Sequence, residues 1–73
     1  MDEKQLAKYS VEMAPRVIGE AVLDLLAAGQ EVGLAALQAR LQAEQARRGP
    51  GNLGRPTYEA ALKMIEEAAQ RNG

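Results

Sequence analysis

Between Pro15 and Gly29 lies the most apolar run of the chain, PRVIGEAVLDLLAAG. Val17, Ile18, Ala21, Val22, Leu25 and Leu26 recur with adjacent pairs every four residues, which lays a broad apolar stripe along one side of an α-helix. Arg16, Glu20 and Asp24 give it a narrow polar edge. Proline suits a first helical turn, where its missing N–H has no intrahelical partner, and glycine suits the left-handed residue that closes a helix. The pattern therefore predicts a helix over 15–28. A preceding helix should stop near Met13, because the ring of Pro15 disfavours helical geometry at Ala14.

Leu23 does not belong to the stripe. At about 100° per residue it points roughly opposite the stripe's centre, with Gly19 and Leu26 beside it. A helix apolar on nearly all sides needs neighbours on two of them. Two coverings are open: the N-terminal helix of the same chain, or a second copy admitted closely at Gly19. Small domains often need oligomerisation to bury enough surface, which makes Gly19, Leu23 and Leu26 the candidate interface.

Elsewhere the periodicity is again helical. Leu6, Tyr9 and Met13 mark a short amphipathic helix over 3–13, with Asp2 and Glu3 at the end where the helix dipole favours acids. Gly33 reads as the N-cap of a helix over 34–47, with Val32 and Leu37 placed as a hydrophobic staple. Leu34, Leu37 and Leu41 form its stripe. Ala35, Ala39, Ala43 and Ala46 lie on its other side, as surface positions filled by a good helix former or as a close-approach face. Residues 49–54, GPGNLG, are a loop from which Leu53 should tuck back onto the core. The last helix, 56–71, carries Tyr58, Ala61, Leu62, Ile65 and Ala69 inward with Met64 at the margin, and Asn72-Gly73 is a suitable end. No stretch alternates with period two. The expected fold is all-α, three to four short helices in a small bundle forming a homodimer, in a single domain over 1–73.

Composition sharpens this in two ways. Hydrophobic residues make up 47% of the 73 residues, yet there is no Phe or Trp and only two Tyr, so the core must be built from Leu, Val, Ile and Met and should be modest. Nine Lys and Arg against ten Asp and Glu give a formal charge of −1, unlike a strongly basic nucleic-acid binder. The polar start and the lack of any apolar run approaching about 20 residues predict a cytoplasmic protein with no membrane partner.

Candidate chemistry is sparse. The chain has no His and no Cys, the side chains most readily used for proton exchange or attack near neutral pH. Glu20 with Asp24, and Glu66 with Glu67, read as solvated helix edges. The glycines of the loop lack the Lys-Ser/Thr of a phosphate-binding loop, and no metal-ligand spacing appears. The residues thus predict a non-enzyme with no cofactor, no metal and no small-molecule substrate. One cluster of charge stands out, Arg40, Arg47, Arg48 and Arg55 against Glu44. It reads as cations favoured at a helix C-terminus, or alternatively as an anion or nucleic-acid contact. Gln38, Arg40, Gln42 and Gln45 leave a helix-turn-helix reading open.

The order of Val17-Ile18-Gly19-Glu20-Ala21-Val22, Leu25-Leu26, Gly29 and Val32, then Leu34, Leu37, Leu41, Tyr58 and Ala61-Leu62, resembles the YmgB/AriR family of small bacterial regulators, also called two-component-system connector proteins. The resemblance covers roughly residues 14–66. It implies an all-α homodimer that regulates biofilm formation and stress responses through protein contacts or DNA. The leading expectation is a regulatory interaction module that binds itself and another protein. The alternatives are a small DNA-binding regulator and an inhibitor or antitoxin-like protein from a mobile element.

Overall fold

Asp2 opens the first helix. Its carboxylate accepts the backbone N–H of Gln5 at 2.8 Å, while the Gln5 side-chain oxygen accepts the Asp2 N–H at 3.3 Å, a capping box that satisfies two otherwise orphaned donors. In a computed structural model of the chain, which describes residues 2–49 and 54–71, this helix, α1, runs without interruption over Glu3–Ala27. The expected break near Met13 is absent, so the two helices read at 3–13 and 15–28 are one. Pro15 removes the donor that the Val11 carbonyl would have used. Both residues lie on the solvent side, where water can take the donor's place. About 100° round the helix Ser10 and Ala14 are buried, and that packing outweighs the proline's local preference. The Ser10 hydroxyl donates to the Leu6 carbonyl at 2.8 Å, so burying it leaves no orphan.

The end of α1 follows the glycine. Gly29 takes φ +71°, its N–H donates to Leu26 O at 3.0 Å and the Gln30 N–H donates to Leu25 O at 2.9 Å. That pair of bonds is a Schellman closure, which a side chain at the left-handed position would strain. Gly33 then caps α2, Leu34–Arg48, with extended backbone and no side-chain bond, its carbonyl accepting the Leu37 N–H at 2.9 Å. The third helix, α3, spans Arg55–Arg71, and Pro56 sits harmlessly in its first turn. Leu53 and Asn72-Gly73 lie outside the described residues, as does most of the 49–54 loop.

The described residues are all-helical: α1 packs chiefly on α3, α2 closes against α3, and α1 and α2 touch least. The core is small. Ala14, Ala21, Leu41, Tyr58 and Ala61 form it, with Val17, Ile18, Leu37, Leu62, Met64 and Ile65 packed around them. Leu41 is the largest fully buried side chain, and the three alanines let the helices approach closely. On α2 the stripe tapers from buried Leu41 to exposed Leu34, while Ala35, Ala39, Ala43 and Ala46 all face solvent. Ala69, expected inside α3, is exposed.

Candidate functional site

The continuity of α1 creates a surface that two separate helices would not have. Val11, Pro15, Gly19, Val22 and Leu26 recur at steps of four or three along it, with Leu23 at the edge of the row. Ala14, Ala21 and Leu25 point the other way, into the bundle. Leu23 is 66% exposed, Leu26 60% and Val11 54%. The covering of Leu23 by an N-terminal helix of the same chain is therefore ruled out: that segment is the upstream part of the same rod and cannot fold over it. The bundle measures 38 × 28 × 16 Å between Cα extremes. Its short dimension leaves no layer to spare for the far side of α1, since one helix with its side chains is about 10–12 Å across.

Gly19 sits in the middle of this row. A Cβ there would meet nothing within 4 Å, and its φ is not positive, so no contact inside the chain and no backbone geometry calls for glycine. Glycine in a helix interior costs about 1 kcal/mol relative to alanine.

Along one border of the face run Glu12, Arg16 and Glu20, exposed and spaced by four. Arg16 and Glu20 form a long, solvent-washed pair at 3.7 Å. The row continues to Asp24, whose Oδ2 accepts from Arg40 Nη2 at 3.0 Å, tying α1 to α2. The expected solvated edge is thus partly an interhelical tie.

The arginine cluster is organised around one carboxylate. Glu44 Oε1 lies 2.9 Å from Arg40 Nη2 and 3.1 Å from Arg47 Nη1, and Oε2 lies 3.1 Å from Arg48 Nη1. Arg48 also donates to the Glu44 backbone carbonyl at 3.1 Å, capping the C-terminal turn of α2, and its guanidinium stands 4.5 Å from the centre of the Tyr58 ring. The hydrogen bond from Arg48 holds the Glu44 carboxyl below its ordinary value; partial burial opposes this, and the charges of Arg47, Arg40 and Arg48 add to the lowering. Arg40 Nε is buried without a hydrogen-bond partner, so this guanidinium is held by its outer nitrogen. Arg55 has no ion pair with this hub among the described residues. Three of the four arginines therefore gather on Glu44 at the end of α2, leaving the cluster net positive, and Arg47, 74% exposed, is its most accessible member.

Where α1 meets the start of α3, an open groove of about 500 Å³ has Leu6, Met13, Val17 and Tyr58 in its lining and Arg16 and Arg48 among its polar groups. It arises from the uninterrupted α1 and had no signal in the sequence. Among the described residues no group of three or more Asp or Glu side chains is placed to hold a metal ion, and no helix is long and apolar enough to cross a membrane.

The described residues thus form three helices and no strand, with a lopsided apolar surface along α1. No protein-family model, curated protein or solved structure matches the chain.

Proposed function

We propose that this chain is a non-enzymatic regulatory module that acts in the cytoplasm as a helical homodimer, joined through the α1 face, and passes its signal on by contact with another protein. The observation that carries this is the outward placement of Leu23 and Leu26 on a face containing Gly19. Large aliphatic side chains grouped on one face of a small domain mark an interaction site more often than a neutral surface. The absence of His and Cys, and the engagement of Glu20, Asp24 and Glu44 by arginines, support a role without catalysis. The resemblance to the YmgB/AriR regulators supplies the biological setting, control of biofilm and stress responses.

A DNA-binding regulator using Arg40, Arg47, Arg48 and Arg55 has less support, because three of those guanidiniums already face Glu44. Light scattering across a concentration series tests the self-association directly. A mass that rises from one chain to two, and falls back in a Leu23→Asp variant, is the expected result; a single-chain mass up to millimolar protein would remove the reading.

A further inference from the structure

We propose that the groove between α1 and the start of α3 is a binding site for a small aromatic carboxylate. This site is separate from the proposed contact face: Leu6, Met13 and Val17 lie on the side of α1 opposite the Val22 and Leu26 row, counted at about 100° per residue. The groove encloses about 500 Å³, against about 300–1,000 Å³ for ligand pockets in general. Both aromatic side chains of the chain, Tyr9 and Tyr58, line it. The Arg48 guanidinium lies 4.5 Å from the centre of the Tyr58 ring. Aromatic rings and guanidinium planes both pack well on flat partners, so this lining suits a planar apolar body. Binding of this kind uses none of the catalytic side chains that the chain lacks.

Charge selects the other end of the ligand. The charged lining is Arg16, Arg48 and Glu20. Two cations against one carboxylate leave one positive charge, which matches a monoanion rather than a phosphate dianion. Arg48 is a fixed part of the wall, its Nη1 bonded to Glu44 and its plane set against Tyr58. Glu44 is shared with Arg40 and Arg47, so that end of α2 keeps a surplus of positive charge beside the groove. Arg16 is the movable partner, 72% exposed and held only by the 3.7 Å contact with Glu20. A carboxylate entering the groove offers Arg16 a shorter, charge-assisted bond, while the ring behind it covers half-buried Met13 and Val17 and the exposed Tyr9.

Naphthoate and its uncharged counterpart naphthylmethanol, each titrated into the isotope-labelled chain and followed by backbone amide shifts, give location and affinity together. Naphthoate should bind saturably and more tightly than the alcohol, with the largest shifts at Tyr9, Met13, Val17 and Tyr58. Arg16→Gln should weaken naphthoate about twofold to tenfold, a range set by the exposure of that arginine, and leave the alcohol unchanged. Glu20→Gln removes the competing carboxylate and should tighten naphthoate, a gain that damage to the fold would not produce. Shifts centred on Val22 and Leu26, equal affinity for acid and alcohol, or indifference to both substitutions would overturn the site. So would the lack of any saturable shift at millimolar naphthoate. Light scattering on Leu23→Asp decides self-association separately, so either result stands without the other.

Discussion

Replacing Leu23 separates two roles that hydrophobic residues usually combine. The side chain is 66% exposed and faces away from the Ala14, Ala21 and Leu25 side of α1, so it contributes little to the fold of one protomer. Fully burying a leucine is worth about 1.5–3 kcal/mol, so covering the exposed two-thirds supplies about 1–2 kcal/mol per copy. A two-fold pair loses the contact twice, about 2–4 kcal/mol, which weakens the dissociation constant about 30-fold to 900-fold. Leu23→Asp should reach at least the lower bound, with the cost of desolvating two carboxylates added. The control is the unfolding of the monomer at dilute protein. Asp lies unfavourably near the negative end of α1, a matter of about 0.3–1 kcal/mol, whereas Leu23→Lys is favoured there. Both variants should melt close to the parent when dilute, and both should sediment as monomers where the parent is dimeric. If both keep the parent's dependence of mass on concentration in sedimentation equilibrium, Leu23 is not at a contact and the reasoning fails.

Three further substitutions probe the frame that presents this face. Pro15→Ala restores the donor to Val11 O and loses no buried contact, so it should stabilise the dilute monomer by about 1–3 kcal/mol in urea titration; a lower midpoint would mean that the proline is not an ordinary helix-interior residue. Leu41→Ala removes the largest fully buried side chain and should cost about 2–5 kcal/mol, against a total of about 4–11 kcal/mol for a chain of this length, so a loss under 1 kcal/mol would show the core to be elsewhere. Glu44 is held below its ordinary value of 4.5, so its ion pairs stabilise the fold above that pH and are lost as pH falls through the lower folded value. Glu44→Gln should cost about 1 kcal/mol or less at pH 7, since its partners are 35–74% exposed, and should flatten the fall in stability below pH 4.5. An acid limb identical to the parent's would remove the carboxylate from that role.

The outcome at each element shows which physical signals a sequence carries. Gly29 and Gly33 marked real boundaries because their requirements are local: a positive φ at the first and a compact, extended cap at the second. Leu23 stood out for the same reason, since angular position on a helix needs only the count of residues. The continuity of α1 did not stand out, because the helical bias against Ala14 is local while Ala14 is buried in a cluster with Tyr58 and Ala61 of α3, far along the chain. The capping box is a local spacing, Asp2-x-x-Gln5, that assigning the acidic start to the helix dipole alone misses. Alanine is the hardest residue to place. Ala21 and Ala61 are buried and Ala35, Ala39, Ala43 and Ala46 exposed, as the stripes place them, but Ala69 lies on the same inner stripe as Ala61 and is exposed. Of the arginine knot, the Arg40–Glu44–Arg48 ladder follows from steps of four, but the bond from Arg40 to Asp24 of α1 requires the tertiary fold.

A shortage of core and a surplus of surface leucine have one consequence together. The chain buries alanines where larger domains bury leucine and phenylalanine, and so gains little from its own interior. It also leaves Leu23 and Leu26 in water, where they add nothing to that gain. Association through α1 would recover part of what the fold leaves unused, and because only the folded chain presents the face, every increment of binding is also an increment of folding stability. The melting temperature should then climb with protein concentration in the parent and stay flat in Leu23→Lys. Coupling of that kind suits a regulator: modest changes in the chain's abundance would shift both how much of it is paired and how much of it is folded.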